Sequence, residues 1–595
     1  MRWRLLLVLM FIPTPANAQP PKATPGNRLA NLDELDPYYP HAKFPKLITP
    51  QWVGEDGVEA VVILAIDDMR EPAKYEAYLR PILRRLQKID GRAPVSIMTC
   101  SVKPDDPQLQ TWLKEGLSIE CHTVDHPCPF FKIGFEKAKS TYDRCVDLMN
   151  EIPGNKPVAF RMPCCDSLNT PSPRHWAEIF NKTTPLSPMG RGAEGEGRSR
   201  GGNFLSIDSS VFMYYTSDDP ELPKSLTLDA DGKERFKRYL PVDRSFVNTI
   251  ENYPYPYVIG NLCWQFPCMT PSDWQAQHLQ KPNNPKTVED WKAALDCTVI
   301  KQGVFNMVFH PHGWIRNDQV VEFIDHAVAK HGKKVKFLTF KEALERLNRS
   351  LFDDTDLRTM RSDPSYALVE ITDFDKNGYL DVQVIRDEGP FGSNRIRNWA
   401  FWAGSKAPSW NIMKPIRIGY KVGKVGTFPT VDLRVGAEKI LIWIKDEQAL
   451  LFDGGDSVEV KKLPFDLPAG ARLTSERGKD TGLRFLDLNA DGKLDIIFSN
   501  EKEYGIYLFT DMEKGWSKKV LAGKRGASAP ATGAGAAGAL VTQGPADELP
   551  MISRHGTNNG FWVHSGYLWW SNEDTAMLKD HVDRRKIADL LRAAK

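Results

Sequence analysis

The stretch VVILAIDDMR, residues 61–70, is an apolar, largely β-branched run that ends on two adjacent carboxylates, Asp67 and Asp68. A continuous apolar run of this length marks a strand buried on both faces, the habit of parallel sheets covered by helices. In α/β barrels the chemistry sits where such strands end. A second stretch about fifty residues on, LSIECHTVDHP at 117–127, has the same form and ends on His122 and His126. One carboxylate with two imidazoles makes a three-ligand site for a divalent metal that keeps a position for water. The other carboxylate is then free to deprotonate that water.

Outward from these two strands, the pattern alternates from about residue 58 to 347. Strand-like runs occur at 61–67, 94–100, 117–123, 157–162, 204–208, 305–310 and 335–340, with helical stretches such as 72–88, 135–150, 289–301 and 317–330 between them. Alternation of this kind implies parallel strands with crossover helices, in a barrel or a doubly wound sheet. Three further strand ends carry chemistry. FRMPCC at 160–165 presents Arg161, placed to pair with a carboxylate, and Cys164, whose backbone N–H can face an oxyanion. LSIDSS at 205–210 presents Asp208, and MVFHPHGW at 307–314 presents His310, followed by His312. Taken singly, each residue has a plainer role. Asp67 or Asp68 would cap the helix starting near Pro72, Arg161 would form a structural ion pair, and His312 is as readily a bystander as a substrate-loop residue. Helix capping does not account for five such stretches at successive strand ends.

The chain has 595 residues, 41% of them hydrophobic, enough for at least two domains with sizeable cores. Its first residues, MRWRLLLVLMFIPTPANAQ, combine Arg2 and Arg4, a short apolar run and Ala16-Asn17-Ala18, so 1–18 reads as a cleavable secretory signal. The apolar run is far shorter than the roughly 20 residues of a spanning helix, and the expected location is secreted or periplasmic. With 78 basic and 76 acidic residues the charge points to neither nucleic acid nor an anionic membrane surface. All nine cysteines lie between Cys100 and Cys297, and an oxidising compartment permits disulfides among them. Cys164 and Cys165 read as small buried residues or a disulfide partner rather than catalytic thiols, because no base is implied for them.

Residues 19–57, rich in Pro and polar residues toward their start, read as a linker or a lid over the first domain, 58–350. Within that domain, 185–202 is a Gly/Arg-rich low-complexity insertion, and 211–285 is a long aromatic and Pro-rich excursion expected to be an ordered loop over the barrel mouth. LDADGKE at 228–234 reads as a turn. From 352 to 579 short strands alternate with Gly and Asp turns; 526–547 is low complexity, and 580–595 reads as a basic helix.

The ordered set resembles the carbohydrate esterase family 4 polysaccharide deacetylases, the NodB-homology fold. Asp67-Asp68 resembles the family's first motif, His122 to His126 its second, Arg161-Met162-Pro163 its third and Val308-Phe309-His310 its last. The resemblance implies a distorted (β/α)7 barrel in which Asp67 is the base and Asp68, His122 and His126 hold zinc, or cobalt or nickel in its place. It further implies that Arg161 orients Asp67 with Asp208 as its carboxylate partner, that Cys164 offers the oxyanion N–H, and that His310 protonates the leaving amine. Cys164-Cys165 stand where the family's third motif continues with an aromatic residue and Gly, which leaves the sugar-stacking wall unassigned.

In the second half, ITDFDKNGYLDVQV at 371–384 and FLDLNADGKLDIIFS at 485–499 share a frame of alternating oxygen-bearing residues with a Gly. Asp373, Asp375, Asn377 and Asp381 in one, and Asp487, Asn489, Asp491 and Asp495 in the other, suit calcium; each also suits an Asp/Gly turn. These frames resemble FG-GAP/VCBS repeats, which implies a mostly-β, propeller-like domain, although two copies are too few to close a propeller. The expected function is removal of acetyl groups from N-acetylated sugars of a polysaccharide. A hydrolase of the same barrel acting on a small or cyclic amide is the first alternative. A calcium-dependent cell-surface glycan-binding protein with an idle barrel is the second.

Overall fold

The computed structural model describes residue 40 and residues 44–165, 205–240, 249–352, 354–357 and 366–592, with breaks of which 414–429 and 526–547 are the longest. The leader 1–18, the insertion 185–202, the segment 526–547 and Asp375 lie outside the described residues.

The N-terminal half is built on a curled, half-barrel sheet. Its strands are β1 (Ala60–Met69), β2 (Val95–Thr99), β3 (Ser118–Cys121), β4 (Ala159–Phe160), β5 (Ile207–Asp208), β6 (Tyr257–Ile259), β7 (Cys263–Gln265), β8 (Val304–Phe309) and β9 (Val335–Phe337). They lie in the order β8-β1-β2-β3-β4-β5-β7-β6, with β9 pairing the start of β1; all neighbours are parallel except β6 and β7. Residues Ala60 to Ile66 of β1 are wholly buried, as a continuous apolar run requires of a strand covered on both faces.

Among the described residues seven helices lie against the sheet: α1 (Pro72–Asp90), α2 (Pro107–Glu115), α3 (Phe135–Glu151), α4 (Asp273–Gln280), α5 (Pro285–Lys301), α6 (Asn317–His326) and α7 (Phe340–Phe352). Local sequence sets their limits. Pro72 opens α1 and Gly91, at φ 81°, closes it, while Tyr75, Leu79, Ile82, Leu83 and Leu86 form the buried stripe that holds it to the sheet. Asp106 caps α2 by accepting from the Gln108 N–H, and Gly116 ends it at φ 95°.

The excursion 211–285 is not a loop over the mouth. It supplies β6, β7 and α4, and a separate three-stranded sheet of Phe212–Tyr214, Thr249–Glu251 and Cys268–Met269. Its aromatics are core residues: Tyr253, Tyr257, Trp264 and Phe266 are all buried. Residues 44–53 of the N-terminal extension likewise form no lid. The Thr49 N–H and hydroxyl donate to the carbonyls of Gln302 and Gly303, just before β8 begins, so this segment seals the barrel end opposite the strand C-termini. LDADGKE is a turn, closed by the Leu228–Glu234 bridge.

The second half is a series of antiparallel meanders: four strands over Tyr366–Met413, three over Thr430–Asp453, four over Leu483–Lys524, and three over Phe561–Lys586, with a two-stranded ribbon at Ser553–Asn558. The tail differs from the expected helix 580–595. Asp583–Lys586 is a strand paired with Tyr567–Trp570, and the helix spans Ile587–Arg592 alone, because alternation in DRRK suits a half-exposed edge strand. No helix of the described residues is long and apolar enough to cross a membrane.

Candidate active site

Asp67 and Asp68 both face one cleft, which regular strand geometry forbids for neighbours, since successive side chains point to opposite faces. The β1–β2 register resolves this. Ile66 pairs with Ile97 and Met69 with Thr99, so three steps on β1 match two on β2 and the extra residue is a bulge at the Asp-Asp pair. Asp68 takes φ 70° there, and Thr123, His126 and Cys164 also have positive φ. Such conformations in non-glycine residues cost energy and cluster at functional sites.

His122 Nε2 and His126 Nε2 lie 3.1 and 2.8 Å from Asp68 Oδ1. The three ligand atoms lie within 4.8 Å of one another. His122 Nδ1 is 2.8 Å from the Arg161 carbonyl, which only accepts, so Nδ1 carries the proton and Nε2 presents its lone pair to the cleft. Burial alone would raise the Asp68 carboxyl, but the imidazoles of His122, His126 and His312 around it hold it well below the usual carboxylate range. His312 Nε2 lies 3.0 Å from Oδ2, which places His312 at the donor set rather than apart from it. This donor set fits a divalent cation of zinc type.

Arg161 is completely buried and forms an ion pair with Asp67, Nη1 to Oδ1 at 2.6 Å. Its Nε donates to the Ser209 carbonyl, and its Nη2 to Ser209 Oγ and Asn306 Oδ1. Asp208, expected as the partner of Arg161, instead accepts from the Ser210 N–H and hydroxyl, and a turned Gln265 amide donates to its Oδ2. Burial pushes the Asp208 carboxyl up to about 8 against the Ser210 hydrogen bonds and the Arg161 charge, so Asp208 feels Arg161 through space rather than as its hydrogen-bond partner. Ser209 and Asn306 take that place.

His310 Nδ1 lies 2.7 Å from Asp273 Oδ1, and its backbone N–H donates to Asp273 Oδ2. Asp273 is the first residue of α4, fully buried, and was hidden within the aromatic excursion. Burial alone would lower the His310 pKa, but Asp273, by charge and by hydrogen bond, raises it to about 10. His310 therefore holds a proton at neutral pH that it can deliver into the cleft.

The cleft has a volume of about 90 Å³ and is lined by Asp67, Asp68, His122, His126, Cys164, Cys165, Val308, His310, Trp274 and Trp314. The two tryptophans supply the aromatic wall that Cys164-Cys165 do not. A Cys128–Cys164 disulfide ties the loop after β3 to the loop after β4, so both halves of the site share one clamp. Of the possible calcium frames, Asp373 accepts from the N–H groups of Asn377 and Gly378, and Asp487 from those of Asp491 and Gly492. Asp381 and Asp495 are buried at strand starts, and Asp495 accepts from Leu488 and Phe509. Asn377 Oδ1 and Asn489 Oδ1 likewise accept from the N–H groups of Tyr379 and Asp491. Backbone-closed turns of this kind are common to plain Asp/Gly turns and to calcium-binding loops.

The polysaccharide deacetylase family model matches residues 54–172, the stretch that carries Asp67, Asp68, His122, His126 and Arg161. Among solved structures, a putative polysaccharide deacetylase from Mycobacterium smegmatis is similar at 14% identity and TM-score 0.33, over 52% of this chain and 96% of that one. A mutant of the peptidoglycan deacetylase PdaC from Bacillus subtilis is similar at 14% identity and TM-score 0.27, over 50% and 95%. No curated protein matches the chain.

Proposed function

We propose that residues 58–350 form an exported, metal-dependent deacetylase that hydrolyses the N-acetyl amide of amino sugars in a polysaccharide and leaves the amine on the polymer. The observation that carries this is the meeting in one open cleft of a His-His-Asp donor set, a carboxylate clamped by Arg161, and an imidazolium clamped by Asp273. Asp68, His122 and His126 would hold the cation, which when bound supplies Lewis acidity to the amide carbonyl and to water. Asp67 takes a proton from the attacking water, with Arg161 fixing its orientation. The Cys164 backbone N–H, at the cleft wall, serves the developing oxyanion. As the carbon–nitrogen bond breaks, His310 passes its proton to nitrogen, acetic acid departs, and the proton held by Asp67 is exchanged through solvent for the one that restores His310. Trp274 and Trp314 offer apolar faces for sugar rings.

The leader-like start and the Cys128–Cys164 disulfide support export to an oxidising compartment. The described residues of the excursion form sheet, core and, through Trp274, part of the cleft wall, which favours an open cleft for a polymer over a pocket for a small cyclic amide. Acetate release from a panel of N-acetylated and O-acetylated glycans, with and without chelator, tests the proposal. Release from N-acetylated polymers, abolished by chelator and restored by zinc or cobalt, is the expected result. Ring opening of cyclic ureides with no acetate from any glycan would overturn it.

A further inference from the structure

Two imidazoles converge on one carboxylate oxygen at a second place, on the outer helices. His326 Nε2 lies 3.0 Å and His331 Nε2 2.7 Å from Asp296 Oδ1, and the three ligand atoms lie within 4.8 Å of one another. Among the described residues this group and Asp68-His122-His126 are the two that could hold a metal ion in this way, and their internal geometry is nearly the same.

The local backbone explains the convergence. His326 ends α6, and Ala327–His331 continues as a π-helical turn. In an α-helix, at about 100° per residue, residues five apart would lie roughly 140° apart around the axis and face different neighbours. The i to i+5 pattern of a π turn instead sets them one above the other, and such turns are frequent at functional sites. Both rings therefore face Asp296 on α5. Asp296 and His331 side chains are only 9% and 10% exposed, so the cluster is built into the packing rather than laid on the surface. Lys330 Nζ binds the other oxygen, Oδ2, and so leaves Oδ1 as the oxygen both imidazoles address.

We propose that Asp296, His326 and His331 form a second divalent-metal site, of the zinc class, that braces the end of α6 against α5. Two imidazoles and a carboxylate are a borderline donor set that suits zinc or cobalt over calcium or magnesium. The site is separate from the cleft. Helix α6 follows the loop at the C-terminal end of β8 and runs back along the barrel, so its last residue lies toward the opposite end. The proposal does not depend on which substrate the cleft takes.

Metal content tests it. Protein stripped with chelator and dialysed against zinc or cobalt should retain two equivalents per chain, falling to one in Asp68→Asn and to one in His331→Ala. Cobalt-loaded Asp68→Asn should still show visible d–d absorption, which the added His331→Ala change removes. His326→Gln, at a more exposed side chain, reads the same loss should His331→Ala fail to fold. One equivalent in the unaltered protein that Asp68→Asn abolishes would overturn the proposal, as would two equivalents that persist in the His326 and His331 variants.

Discussion

Arg161 holds Asp67 through Nη1 while its remaining nitrogens are engaged by Ser209 and Asn306, so the carboxylate proposed as base is presented to the cleft in a single orientation. Asp67→Ala should lower kcat by about 10² to 10⁴ while the protein keeps its metal, measured as acetate release alongside metal analysis. An Asp67→Ala protein of full activity would remove it from the mechanism. Asp273 acts through His310. A proton donor works only below its pKa, and His310, raised to about 10, stays protonated across neutral pH. Asp273→Asn removes the largest of the three carboxylates that raise it, Asp68 and Asp67 being the others, so the alkaline limb of the kcat profile should move down. An unmoved limb in that variant would count against His310 as the acid.

Among the elements, the bulge in β1 matters most, since it turns neighbouring carboxylates to one side and so lets Asp67 and Asp68 take the two roles proposed for them. Pairing of β3 with β4 is slight, Cys121 with Phe160 alone, and Glu120 reinforces it by accepting from the N–H groups of Val158 and Ala159. Burial pushes the Glu120 carboxyl up to about 7. Between the usual carboxyl range and pH 7 the folded protein therefore holds a proton that the unfolded chain has released, and stability falls as pH rises through that window, by a few kcal/mol. Glu120→Gln keeps an acceptor and does not titrate. Denaturant unfolding at pH 5 and pH 7.5 should show a smaller loss in the variant than in the unaltered protein. The Cys128–Cys164 bridge closes a loop of 36 residues between the two halves of the site. Its removal by Cys128→Ser should cost about 2–4 kcal/mol, read from the unfolding midpoint, and should lower activity as the β3 and β4 loops part.

At the scale of the whole molecule, the two halves share a core. Ile371, Leu380, Val382, Val384, Trp562 and Trp569 belong to the same buried cluster as the barrel. Backbone hydrogen bonds from Lys46 to Gly378 and from Leu380 to Lys46 add a direct stitch. Residues 44–352 made alone would expose this apolar face. Such a fragment should unfold at a lower temperature than the full chain and self-associate, as thermal scans and sedimentation would show, and equal stability would mean the contact contributes little.

What could be seen in the sequence follows from what a single strand end can declare. Apolar runs ending on Asp67-Asp68, His122, Arg161 and His310 announce buried parallel strands and their chemistry, because burial on both faces demands such runs whatever the partners. Residues 263–265 and 273 announced nothing: a three-residue strand has no measurable period, and an aspartate that opens a short helix looks like any cap. Asp208 was placed at a strand end and then assigned the wrong neighbour, since position along the chain does not say which buried donor an oxygen will meet. Sequence by itself therefore determined the α/β class of 58–350 and the strand-end residues to which the proposed ligand and base roles fall. Tertiary structure alone decided the bulge that separates Asp67 from Asp68, the Asp273 clamp on His310, the Cys128–Cys164 tie and the π turn over Asp296. Each of these depends on register or on contact between distant segments, which local composition does not encode.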